Sequence, residues 1–442
     1  MLPTKRYIPL TLLTAAATMV GTTQLAAQEK AELSISALRA QIRVLDEDVR
    51  ALKAKQGEPD AASEKSASVS VNSKGFAATC ADGAFALKIG ALIQADTRFY
   101  LDNGDSDNVH QNAFLLRRIR LPVTVTAGKH VTFHIQPEFA AADSATGGNT
   151  QLTDAWAELR ATEAFGLKLG KFPGPVSLET PNNRHFIEAS FTNQLVATRD
   201  IGLEAAGSFA EKRFVYRLGF YNGTPNNSWS DTGNLGDGNF SVGGRVTLKP
   251  ISKVKDGVTT ELAFSIGLSY GNESASDNNG RIHSYGQQEI INSGLGASNR
   301  YRGDHLRFGP AIEFYHGPFS AIAELLQERW ESAHERFDNY GWRLVGGWVI
   351  TGEDAKGRVQ PKNPFSLENG TWGALEVSAR LSGLLVDERL LDHVNAFSYG
   401  LGLSWYATNN FSVHLDAVKT DFGSGIALKD EFVIFARAQI NF

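Results

Sequence analysis

Arg117, Arg118 and Arg120 crowd into Phe114-Leu115-Leu116-Arg117-Arg118-Ile119-Arg120-Leu121, and arginines gathered in this way are first of all a means of holding anions. A guanidinium presents paired donors in a planar fork and keeps its charge at any working pH. A water-filled passage that selects anions needs several such donors, close enough to replace part of a hydration shell and weak enough to release the ion. Period-two alternation places Arg118 and Arg120 opposite Ile119, Leu121, Val123 and Val125, on a wet face. In the same pattern Arg117 falls on the apolar face, so it is expected near a strand end with its head snorkelling to an interface. Lys171 stands just before residues 173–200, a stretch with almost no alternation. A loop of that length in a compact structure is usually functional. Folded inward it would carry Arg184, His185 and Arg199 to the same passage; folded outward it would be a flap. Arg213, Arg217, Arg343 and Arg380 lie on polar faces as well, where they either extend a basic lining or pair with acids such as Glu204, Glu261 and Glu376.

Other chemistries find less support. His130, His134 and His414 have no Gly-x-Ser-x-Gly or His-Glu-x-x-His motif beside them, so neither a nucleophile apparatus nor a zinc-protease helix is indicated. The His residues show no clustered ligand spacing, and no metal or cofactor is expected. The Asp/Asn-rich stretches at 102–108 and 231–239 read as solvated turns rather than calcium loops. Cys80 is the single cysteine, so no intramolecular disulfide staples the fold. A net charge of −5 with Lys and Arg spread along the chain indicates neither nucleic acid nor an anionic membrane surface as a partner.

The elements that must position these side chains change character along the chain. Residues 1–27 read as a signal peptide: Lys5 and Arg6 precede an apolar run from Ile8 to Val20, and Ala26 and Ala27 offer a cleavage site. Residues 28–56 carry a heptad seam of Ile35, Leu38, Ile42, Leu45, Val49 and Leu52, which reads as a coiled coil made with further copies of the chain. Residues 57–80 read as a flexible tether opened by Pro59. From 81 to 442 the period is two. Phe133 and Ile135 alternate with His134 and Gln136, Phe264, Ile266 and Leu268 with Ser265 and Ser269, and Phe397, Tyr399, Leu401 and Leu403 with Ser398 and Ser404. Asn222-Gly223 and Asp237-Gly238 mark turns between such runs. No mature segment is a transmembrane-helix candidate. Aromatics at run ends, among them Phe99-Tyr100, Phe220-Tyr221, Trp330, Trp348 and Trp405-Tyr406, fit membrane-interface girdles. The last run presents Phe432, Ile434, Ala436, Ala438, Ile440 and the terminal Phe442 on one face. A closing aromatic of this kind resembles the recognition signal of the barrel assembly machinery, and a terminal strand suits closure of a sheet without edges. The fold class is therefore all-β, a transmembrane antiparallel barrel preceded by a short coiled-coil helix.

Several stretches resemble the phosphate-selective porin O and P family. Leu92-Ile93-Gln94-Ala95-Asp96 with Arg98-Phe99-Tyr100 is similar to its first strand, and the arginine segment to its second. Gly170-Lys171-Phe172 with Pro175 and Ser177-Leu178-Glu179 resembles the approach to a long inner loop. Arg199-Asp200-Ile201-Gly202, Tyr221-Asn222-Gly223, Thr351-Gly352-Glu353-Asp354-Ala355, Phe365-Ser366-Leu367 and the run from Trp372 to Ser382 follow in order. The resemblance implies sixteen strands, a homotrimer in the bacterial outer membrane, and a lumen that passes phosphate or other small anions. An uninterrupted Arg-x-Arg ladder is absent, which favours general anion preference over strict phosphate specificity. A sugar-type or general diffusion porin and a structural barrel tethering the envelope remain the alternatives.

Overall fold

A sheet can line lipid only if every wall N–H and C=O is paired on a neighbouring strand and no edge remains. The computed structural model describes residues 40–48, 66–101, 112–140, 150–179, 185–223, 238–274, 282–291, 302–332, 336–387, 394–423, 426 and 428–442. The chain divides into two units, residues 1–65 and 66–442. In the first, residues 40–48 form an exposed helix, α1, inside the expected coiled coil. The remainder of the 28–56 seam and the signal peptide over 1–27 lie outside the described residues.

The second unit opens with a hairpin, β1 (Ser68–Asn72) and β2 (Gly75–Thr79), which pairs onto β3 (Phe85–Ile89). The tether expected over 57–80 is thus ordered strand from Ser68 onward, because Val69, Val71, Phe76 and Ala78 carry an alternation that composition alone hides. β3 runs into β4 (Leu92–Tyr100), and β5 (Ala113–Arg120) into β6 (Val123–Ala127), each couple forming one stave. The wall continues through β7 (Val131–Glu138), β8 (Gln151–Arg160) and β9 (Gly166–Pro173). A short helix, α2 (Phe191–Gln194), lies in the connection to β10 (Arg199–Phe209), which pairs with β11 (Phe214–Tyr221). Longer strands follow, β12 (Ser241–Lys255) and β13 (Val258–Ser274), then a small hairpin of β14 (Ile282–His283) and β15 (Glu289–Ile291). β16 (Arg302–His316), β17 (Phe319–Glu331), β18 (Arg336–Val349) and β19 (Ala374–Val386) extend the wall. β20 (Val394–Tyr406), β21 (Phe411–Phe422) and β22 (Glu431–Asn441) complete it.

β22 pairs antiparallel with β4, from Val433 opposite Tyr100 to Asn441 opposite Leu92, and this closes a barrel of sixteen strands. At the seam Ala91 N and Phe442 O, and Phe442 N and Ala91 O, bond at 2.9 and 3.0 Å, so the terminal residue itself locks the closure. Gly90 is required there: a Cβ would meet the Phe442 carbonyl oxygen at 2.4 Å. Sidedness follows the alternation. Phe133, Leu218, Phe220, Ile266, Leu268, Leu344 and Leu401 are exposed outward, whereas Arg118, Glu204, Glu261, Arg343, Glu376, Asp416 and Arg437 are buried inward.

Among the described residues, parts of three connections fold into the lumen. Residues 174–179 and 185–198 lie inside it and seat Val176, Phe191, Leu195 and Val196 against Leu326, Leu384, Val386 and Ala396 of the far wall. The wall makes room with glycine: a Cβ on Gly267 would lie 2.3 Å from the Val176 carbonyl oxygen. The β14–β15 hairpin docks beside it, packing Tyr285 with Phe186 and Ile187 on Val418, Val433 and Phe435. At the opposite, short-turn end, which in outer-membrane barrels faces the periplasm, residues 350–373 fold back. Ala355 and Val359 are fully buried there with Val349, Ala374 and Tyr406. The Thr351–Ala355 motif does this anchoring: Asp354 accepts from Thr259 N at 3.0 Å, Ala355 N donates to Gly317 O at 2.7 Å, and Glu353 accepts from Thr351 and from Lys362 N.

Candidate pore constriction

The inward loop carries two carboxylates, and the lumen wall supplies arginines on both sides of them. Glu188 accepts from Arg117 Nε at 2.8 Å, with Arg98 and Arg437 guanidinium nitrogens each at 3.6 Å. Burial pushes this carboxyl upward, but Arg117, followed by Arg118 and Arg437, holds it well below the usual carboxylate range. On the far wall Glu179 lies 3.4 Å from Arg343 and 4.0 Å from Arg380, and these cations outweigh its burial to keep it ionised. Arg380 also donates to the Glu188 carbonyl at 2.9 Å and stacks over Phe186 and Tyr285. Arg245 clamps the start of the loop through the Pro175 and Val176 carbonyls, and Asp416 accepts from Ile187 N at 2.5 Å. The loop is therefore tied to opposite walls rather than laid on one.

Arg117 does not lie on the lipid side as strict alternation predicts. The β4–β5 register shifts between Gln94 and Ala95, so Arg117 has no residue opposite it and bulges, and both it and Arg118 serve the interior. From there a basic belt runs around the wall. Arg437 on β22 grips Asp96 through two bonds of 2.7 Å. Arg118 lies within electrostatic range of Arg437, Arg117 and Arg120. Arg120 bonds Glu138 at 2.6 Å and feels Arg199, which bonds Asp154 at 2.8 Å, and Lys171 is buried beside Arg199 and Asp154. Arg118 differs from the others. Among the described residues it has no carboxylate within ion-pair distance, though it feels Glu188 from farther off, and its Nη1 donates at 2.8 Å to the neutral amide of Gln94, itself held by Gln439 at 2.6 Å. An amide partner brings no opposing charge, so this guanidinium is not neutralised by a direct ion pair.

Of the remaining sequence candidates, Arg217 pairs with Glu204 at 2.8 Å and reaches the Pro173 carbonyl. His185 bonds Ser320 at 2.9 Å. Arg213 corrects the expectation: it sits exposed in the turn before β11, because the alternating run begins only at Phe214. Arg184 lies outside the described residues. Trp330, expected in a girdle, faces inward and stacks on the fully buried His305 at 3.5 Å between centroids. Sequence reasoning missed Arg98, Arg245 and Arg437; Arg437 had a usable signal in its place on the polar face of the last strand. The Gly-x-Ser-x-Gly match at Gly267–Gly271 lies in mid-β13, not on the strand-to-helix turn a nucleophile needs.

The sequence profile of the phosphate-selective porin O and P family matches residues 87–424. This chain belongs to that family. As a porin it is placed in the outer membrane, and solved structures agree on the fold. The outer-membrane protein OmpT of Vibrio cholerae, as a loop L8 deletion mutant, is 10% identical over 81% of this chain and 100% of its own, with a TM-score of 0.54. The outer-membrane channel DcaP of Acinetobacter baumannii is 10% identical over 81% and 98%, with a TM-score of 0.52. OprB of Pseudomonas putida is 11% identical over 82% and 95%, with a TM-score of 0.51. No curated protein matched the chain.

Proposed function

We propose that this porin passes small anions, phosphate among them, through a constriction between the inward loop and the basic belt. The observation that carries the reading is Arg118, buried at the belt and hydrogen-bonded to an amide instead of a carboxylate. Around it Arg98, Arg117, Arg120 and Arg437 outnumber Asp96, Glu138 and Glu188, which leaves a local positive excess. An ion that exchanges water for such donors is held weakly and briefly, as conduction requires. Because the other belt cations share carboxylates, the reading is anion preference with phosphate as one permeant, not exclusive phosphate passage. The functional unit in this reading is a homotrimer, joined in part by the 28–56 seam, with Phe442 read by the barrel assembly machinery. Phosphate should reduce chloride current through single channels, and Arg118→Gln should weaken that block. A chloride current that phosphate leaves untouched contradicts the phosphate part of the reading.

A further inference from the structure

Between the inward loop and the 350–373 segment the lumen keeps a cavity of about 370 Å³, on the short-turn side of the belt. One wall is the underside of the loop, with Glu179 and His185. These groups are committed: Glu179 to Arg343 and Arg380, His185 to Ser320. Arg343, also on the cavity, is neutralised by Glu324 at 2.8 Å as well.

The opposite end is different. Arg358, projecting from the folded-back segment, lines the cavity together with Ser412, His414, Gln439 and Asn441. It forms no ion pair among the described residues. Its Nη1 reaches only the Asn441 carbonyl, at 3.5 Å, and its Nη2 is buried with no hydrogen-bond partner. Glu313 also brings a carboxylate to the cavity, accepting from Tyr315 at 3.2 Å, but among the described residues none pairs with Arg358, and a guanidinium with unspent donors costs free energy unless something accepts its hydrogens. Its position is secured independently of any ligand, since Ala355 and Val359 are buried and Asp354 and Lys356 tie the segment to Thr259 and Glu261.

We propose that Arg358, with Ser412 and Gln439 as neutral donors, forms a second anion site in series with the belt, one that takes a small oxyanion of phosphate size leaving toward the short-turn end. The site rests on the anion reading of the pore and adds to it a position and a sidedness. An anion released from Arg118 meets a second fork before open water, so occupancy of the two sites sets how readily it exits.

The experiment is single-channel recording in planar bilayers, with inorganic phosphate titrated against chloride current from each compartment in turn. Arg358→Gln should raise the half-blocking phosphate concentration from one compartment by about tenfold or more, the worth of a charge-assisted hydrogen bond. It should leave block from the other compartment unchanged. Arg358→Lys, which keeps the charge without the fork, should fall between wild type and Gln, and the resistance of both variants to heat in detergent checks that the barrel has formed. Equal block of wild type and Arg358→Gln from both compartments overturns the second site while leaving the belt standing. A wild-type channel that phosphate blocks from neither side overturns the anion reading and this site with it.

Discussion

Replacing Glu188 with alanine removes the carboxylate that Arg117, Arg98 and Arg437 share. The side chain is only 5% exposed, so the guanidiniums left behind cannot be rehydrated without moving the loop. Breaking a buried pair from one side costs about 3–5 kcal/mol. That cost falls on the seating of residues 185–198, because the wall strands keep their backbone ladders. The Arg245 clamp and the Ile187–Asp416 bond hold the rest of the loop, so the Glu188 region should loosen while the barrel stays closed. Arg117→Ala/Glu188→Ala removes both charges and should recover most of the loss. Loop seating is read by limited proteolysis and by the unfolding midpoint in detergent, and the two singles with the double form a cycle. A coupling of about 2 kcal/mol or more is expected, given the burial of the pair. Additive single effects would refute the latch. The pH dependence carries the same sign: a depressed carboxyl contributes stability fully present above its unfolded pKa and lost as pH falls through the folded one. Wild-type seating should therefore persist through the ordinary glutamate range near pH ~4 and fail only in stronger acid. Glu188→Ala should show no such late transition.

Gly267→Val places a side chain where the Val176 carbonyl sits, 2.3 Å from the first added carbon, so the loop must lift from that wall. The expected cost is about 1–3 kcal/mol, with larger and noisier single-channel conductance as the readout. Arg437→Ala leaves Asp96 buried and unpaired beside the closing seam, and should lower heat resistance of the folded barrel by about 3–5 kcal/mol. Arg437→Lys should recover only part, because an ammonium cannot make the paired contact.

Much of the wall was legible because lipid on one side and water on the other impose period two on every strand. The last strand shows the limit. Phe432, Ile434 and Ile440 face outward as the pattern requires, yet Val433 and Phe435 are apolar on the inward face as well. They are the seat of Tyr285 and Ile187, and apolar residues on a polar face were the available sign that something docks inside. The loop's length was visible in the sequence but its direction was not, since glycines such as Gly267 mark the landing place only once the curvature of the sheet brings them opposite Val176. Arg118, Arg120, Lys171 and Arg199 could be named one by one, but their junction with Arg437 in a belt was hidden for a related reason. Its members belong to β22, β5, β10 and β9, so no single strand displays the ladder; Arg437 and Asp96 are 341 residues apart. Arg117 was misplaced because a bulge leaves no composition signal and reverses the face of one residue.

The most direct measurement of the central claim is the zero-current potential of the purified wild-type channel across a potassium chloride gradient, repeated with Arg118→Gln. A potential on the chloride side of zero, moved toward zero by the substitution, is the predicted result. A potential on the potassium side, or one the substitution leaves in place, would contradict the account.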